Sequence, residues 1–168
     1  MTPGASAFEA AAGQGRDWIA ARIPHQGRMC LLDRVVRADA SGVLCTTESH
    51  RAADHPLREQ GRLGAACGIE YAAQAMALHG AMMADTRGAA RPARGMLVSV
   101  RGVALHVARL DDVAGELSVQ VQMEADNGDH SVYAFCLQDG ERVLVQGRAI
   151  VRLDAAPAPA ASPELQKQ

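Results

Sequence analysis

Residues 64–84, GAACGIEYAAQAMALHGAMMA, constrain the chain most, because they read as a helix of about five to six turns with no polar side. At about 100° per residue, Ile69, Ala73, Met76, Gly80 and Met83 share one side, while Tyr71, Ala75, Leu78 and Met82 lie on nearly the opposite one. A helix apolar all round is a buried helix. Its Ala and Gly residues make a thin cylinder on which a sheet can close, with Met filling irregular gaps. Only Glu70, Gln74 and His79 carry polar side chains within it, and Glu70 and Gln74 stand one turn apart on one face. His79 lies about half a turn around from Glu70 and is expected to be a satisfied buried histidine. A buried carboxylate is costly without partners, so Glu70 is either satisfied structurally or placed at a site that uses it.

A sheet able to wrap this helix is legible downstream. Strands are expected over 95–107, 115–125, 130–138 and 142–153, with Asp126-Asn127-Gly128-Asp129 and Gln138-Asp139-Gly140-Glu141 as hairpin signals. Upstream, a short helical turn near Asp17-Trp18-Ile19 ends before Pro24, and strands are expected over 29–36 and 42–49. Residues 1–16 and the Pro/Ala-rich tail 154–168 lack a core-forming pattern and are expected to be disordered, which leaves one domain over 17–153. One antiparallel sheet around one buried helix is an α+β arrangement, the hot-dog fold.

At 168 residues with net charge −2 and few aromatics, the chain is a poor candidate for nucleic-acid binding. There is no secretory signal and no apolar run of membrane-spanning length, and the four cysteines lack ligand-like spacing. The expected location is the cytoplasm with reduced thiols, and no metal or cofactor is implied. Between residues 86 and 110 there are five arginines and no acid. Arg87, Arg91, Arg94, Arg101 and Arg109 there are either solvated cations near a helix C-terminus or a docking patch for an acidic partner.

The segments IPHQGRMCLLDRV (23–35) and HPLREQGRLGAACGIEYAAQA (55–75) resemble the beta-hydroxyacyl-ACP dehydratases, and more closely the dehydratase-like proteins of aryl polyene biosynthesis. Ile23, Pro24, His25, Met29, Leu31, Leu32, Asp33 and Val35 match the opening motif; His55, Glu70, Ala73 and Gln74 match the His, Glu, Ala and Gln of the site motif. The resemblance implies dehydration of a 3-hydroxyacyl thioester, carried by an acyl carrier protein or CoA, to the trans-2-enoyl thioester. It implies His55 as base and Glu70 as a protonated acid, from two chains of a homodimer or of a heterodimer with a paralogue. Gln74 is expected to orient Glu70 or the leaving water, and the amides of Gly64, Ala65, Ala66 and Cys67 to face the thioester carbonyl. His25, beside a turn, reads as structural. The chain departs from the family at His55-Pro56-Leu57, where HFPG is usual, and at Leu63-Gly64, where PG is usual. Three readings therefore stand open: a dehydratase, a non-catalytic partner subunit, and a hot-dog thioesterase that aims water with its helix carboxylate. An acyl chain is expected to run beside Met76, Met83 and the strand at 97–105.

Overall fold

The computed structural model describes residues 6–91 and 94–154. The main helix, α3 (Gly68–Thr86), lies across a six-stranded sheet made by β1 (Arg34–Asp39), β2 (Gly42–Thr47), β3 (Arg94–Leu105), β4 (Leu117–Asp126), β5 (His130–Asp139) and β6 (Arg142–Asp154). The strand order is β1-β2-β4-β5-β6-β3, and all neighbours are antiparallel. This is the hot-dog arrangement expected from the element order.

Period-two patterning places the sheet's inner face against the helix. Leu117, Val119 and Val121 of β4 and Tyr133, Phe135 and Leu137 of β5 are buried, whereas the intervening Gln120 and Gln122 face away. Packing falls on β2, β4, β5 and β6, which the small residues of α3 let approach closely. A Cβ on Gly68 would stand 3.1 Å from both Leu137 and Val145. Tyr71, Ala72, Ala75, Leu78 and Met82 have no exposed surface, or almost none, but Glu70, Ala73 and Ala77 form a half-exposed strip.

Two segments differ from expectation. The segment before residue 17, expected to be disordered, carries α1 (Ala7–Ala11), which packs on β1 and α3 and buries Phe8 and Ala11; it is followed by α2 (Arg16–Ala20). Ser6 and Glu9 cap α1 reciprocally, and the Phe8 ring stacks on His79 at 6.1 Å. Of the tail expected to be disordered at 154–168, Asp154 ends β6, and 155–168 lie outside the described residues, as do residues 1–5. The first strand begins at Arg34 and not at Met29: residues 27–29 form a single 3-10 turn, and the Leu31 amide bonds to a side chain of α3 where a strand would bond to a neighbour.

β3 stands at the sheet edge, paired with β6 alone among the described strands. Met96 is 58%, Val98 50% and Leu105 49% exposed, too much apolar surface for a solvated edge. At the other end of the sheet, β1 turns into β2 at Gly42, whose Cβ would lie 2.2 Å from Val121 O on β4. Backbone cannot move aside as a side chain can. Gly42→Ala is therefore expected to cost about 1–3 kcal/mol, read as a lower urea midpoint with unchanged slope.

Candidate active site

Glu70 sits in the first turn of α3 with its side chain 32% exposed. Tyr71, about 100° further round, points inward, so one turn of helix presents a carboxylate outward and a phenol to the core. Glu70 Oε1 lies 3.0 Å from His25 Nε2 and accepts a 3.0 Å hydrogen bond from Gln74 Nε2. The His25 side chain is 28% exposed, so the pair is reachable from outside. Gln74 is fully buried: Oε1 accepts from the Leu31 amide at 2.9 Å, and Nε2 also donates to Met29 O at 2.7 Å. Those two backbone contacts fix the amide's orientation and aim its second N–H at Glu70. The hydrogen bond from Gln74 to Glu70 is the geometry an orienting role needs, and Gln74, fully buried, presents no surface of its own in this chain.

The hydrogen bond from His25, joined by that from Gln74, holds the Glu70 carboxyl below its ordinary range against the opposing effect of burial. This corrects the expectation of a protonated Glu70: its environment favours the carboxylate.

His55 is placed elsewhere. It is 5% exposed, its Nδ1 accepts the Leu57 amide at 3.1 Å, and its Nε2 lies 3.0 Å from the Tyr71 hydroxyl. Burial, with Arg58 adding to it, pushes its imidazole down. Both ring nitrogens are occupied within the chain, and no contact with Glu70 of the same chain is formed. The histidine that meets Glu70 is His25, whose place beside a turn had suggested only a structural part. The available signal was its place in the same opening motif, beside the tight turn at Gly27.

Of the four amides expected to face a carbonyl, Ala65 N donates to Ala108 O and Cys67 N to Gly64 O. Those of Gly64 and Ala66 have no acceptor among the described residues, and both residues are exposed. The arginine stretch is acid-free only in sequence. Arg87 approaches Asp126 at 3.8 Å, Arg91 is bidentate on Asp85, and Arg109 pairs with Asp111. The expected acyl path beside β3 is not formed within one chain either. Met76 is buried beneath the sheet, and Leu97 and Leu105 are exposed at its far edge. Met83 instead borders a cleft of about 390 Å³ with Gly80, Met123 and Tyr133. Among the described residues no cluster of three or more His, Cys, Asp or Glu side chains is arranged to hold a metal ion.

The family model described as ApeP-like, ApeP dehydratase, matches residues 18–158, which include α3, the His25 turn and the whole sheet. The chain belongs to the ApeP-like dehydratase family. Among solved structures, this ApeP-like chain is similar to one from the dehydratase heterocomplex ApeI:P of Xenorhabdus doucetiae. The TM-score is 0.73 at 24% identity, covering 82% of this chain and 91% of that one. It is also similar to a thioesterase family protein from Silicibacter pomeroyi, with TM-score 0.58, 16% identity, and 84% and 96% of the two chains covered. Zebra fish thioesterase superfamily member 2 gives TM-score 0.58 at 14% identity over 82% and 94%. These likenesses show the shared hot-dog fold. No curated protein sequence matches the chain.

Proposed function

We propose that this ApeP-like chain dehydrates a 3-hydroxyacyl thioester, held on an acyl carrier protein or on CoA, to the trans-2-enoyl thioester, in fatty-acid-like or aryl polyene synthesis in the cytoplasm. The observation that carries the reading is the half-exposed Glu70–His25 pair at 3.0 Å in a chain of a dehydratase family. The Glu70 carboxylate takes the C2 proton, and the electron pair left at C2 is stabilised by hydrogen bonds from the Gly64 and Ala66 amides to the thioester oxygen. As the C2–C3 double bond forms, the C3–O bond breaks, and His25 in its imidazolium form gives its Nε2 proton to the departing hydroxyl, which leaves as water beside a neutral ring. The proton on Glu70 then passes to the adjacent His25 Nε2, which restores the pair. Atoms and charge balance with no external oxidant or reductant.

The apolar β3 edge supports pairing with a second hot-dog subunit, either another copy or a paralogue, by joining the two sheets edge to edge. The ApeI:P structure is itself named as a dehydratase heterocomplex. Such a neighbour would lie near the half-exposed strip Glu70–Ala73–Ala77 and close over an acyl chain there. The remaining enzymatic reading is hydrolysis, in which the same carboxylate directs water at the carbonyl.

Purified protein incubated with 3-hydroxyacyl thioesters on CoA and on carrier protein, followed for both enoyl absorbance and free thiol, separates the two. Dehydration predicts enoyl product with no thiol release. Thiol release without enoyl would replace the reading by a thioesterase, and neither product from the protein alone, with enoyl appearing once a paralogous subunit is added, would make it half of a heterocomplex.

A further inference from the structure

We propose that the outer face of the sheet carries an anion site, separate from the Glu70–His25 pair, that binds an organic phosphate between Arg101 and Arg148. The proposal does not rest on the dehydratase reading. Side chains of β4, β5 and β6 that point away from α3, with the Ser99–Gly102 part of β3, line a hollow of about 740 Å³. No residue of α3 borders it.

Strand register brings the polar groups together. Gln122, Ala134, Arg148 and Arg101 stand side by side on four adjacent strands, and Gln120, Cys136 and Gln146 form a parallel row on three. Arg101 and Arg148 are thus directly opposed, an arrangement of like charges that destabilises an antiparallel pair. Arg148 has a counter-ion, Glu124 at 3.0 Å. Arg101 has none among the described residues, although Arg87, Arg91 and Arg109 of the same arginine-rich stretch are paired with acids. The side-chain amides of Gln120, Gln122 and Gln146 likewise make no hydrogen bond among the described residues, and Ser99 Oγ is buried without a partner. The backbone itself is shaped at this point. The β3–β6 register slips between Arg101 and Ala104, and Gly102 within the slip has φ +59°. A Cβ there would meet nothing within 4 Å, so glycine is required for its conformation and not for space. A bulge of this kind bends the strand and re-aims its side chains, and bulges gather beside active sites.

These groups select the ligand. Two guanidinium forks on neighbouring strands, with backbones about 5 Å apart, can share one oxyanion, and phosphate offers enough oxygens for both forks where a carboxylate is filled by one. The glutamine amides and the Ser99 hydroxyl supply neutral donors around it, and the half-buried Ala134 and Cys136 give a floor for an apolar body. The size is that of a small-molecule site. Two cations and one acid leave the hollow with an excess positive charge, which a phosphate offsets and which a second copy of the same face would double.

The test titrates the full chain with phenyl phosphate at low salt and follows the nitrogen-15 side-chain amide signals of Gln120, Gln122 and Gln146, with benzoate as the carboxylate control. The three signals should shift together and saturate with a Kd of about 0.1–1 mM, and benzoate should bind at least about fivefold more weakly. Arg101→Gln and Arg148→Gln should each weaken phenyl phosphate by about tenfold or more, with the rest of the spectrum unchanged because both side chains are exposed. Glu124→Gln should act in the opposite direction and tighten binding about two- to fivefold, since it frees Arg148 from its competing carboxylate. The proposal is overturned if the signals do not saturate by about 10 mM phenyl phosphate, or if Arg101→Gln binds as wild type does. Weaker binding by Glu124→Gln, or equal binding of benzoate, would also sink it. Glutamine signals that broaden with protein concentration and ignore phenyl phosphate would make this face a contact between copies and reject the phosphate site.

Discussion

Replacing Glu70 by glutamine is expected to lower dehydration by ~10²- to 10⁴-fold while leaving the fold intact, the range for loss of a general acid or base. The substitution keeps the shape of the side chain and its ability to accept from Gln74, and removes only the capacity to hold the C2 proton. Because Glu70 is held as a carboxylate by His25 and Gln74, wild-type kcat should be retained down to a pH below the ordinary carboxylate range and fall as the carboxylate becomes protonated. His25→Asn should lose activity by a comparable factor, since the departing hydroxyl then has no proton donor beside the base. Circular dichroism and the urea midpoint of both variants should stay near wild type, as both side chains are partly exposed. A Glu70→Gln variant that dehydrates at more than a tenth of the wild-type rate would take the carboxylate out of the mechanism.

Acidification below neutrality is expected to destabilise the protein well before its carboxylates titrate. His50, His55 and His79 are buried, and burial is the first cause that pushes each imidazole below its ordinary value of 6.5. His50 Nε2 bonds Val113 O, and His79 lies between Asp39 O and the Tyr133 hydroxyl. These contacts fit neutral rings. The unfolded chain takes up protons near pH 6.5 that the folded chain does not. The stability these groups contribute is thus complete above about pH 6.5 and lost as pH falls through their folded values. One histidine contributes a slope of up to about 1.4 kcal/mol per pH unit, so three titrating together reach about 4. Urea unfolding at pH 7, 6 and 5 should give steadily lower midpoints; a flat profile over that interval would contradict the neutral, buried assignment.

The parts of the molecule that could be read in advance are those set by local period. The all-apolar face count of 64–84 placed α3 to within a few residues, and the alternation in β4 and β6 with their Gly-containing turns placed the sheet. Glu70 and Gln74 were legible as a pair because a helix sets residues four apart side by side. His25 was not, since its contact with Glu70 spans 45 residues and depends on residues 30–33 passing beneath α3, where Gln74 fastens Leu31. The closing of His55 by Tyr71 and the Arg87–Asp126 pair are likewise tertiary contacts, whereas Arg91–Asp85 and Arg109–Asp111 join residues six and two apart across the borders of the acid-free stretch. The α1 helix is a different case. Its Ser6-Ala7-Phe8-Glu9 pattern is a capping box in the sequence itself, but so short a helix persists only because Phe8 finds a buried seat against His79.

The central claim is that the acid and the base of one site belong to one chain. It is tested most directly by unfolding and refolding His25→Asn and Glu70→Gln together in equal amounts, with formation of any mixed pairs followed by mass. The account predicts a mixture as inactive as either parent, because every chain in it lacks one member of the Glu70–His25 pair. Return of roughly a quarter of wild-type activity, the share of sites that mixed two-fold pairs would rebuild from the two unmutated side chains, would show that His25 of one chain serves Glu70 of another and contradict the account.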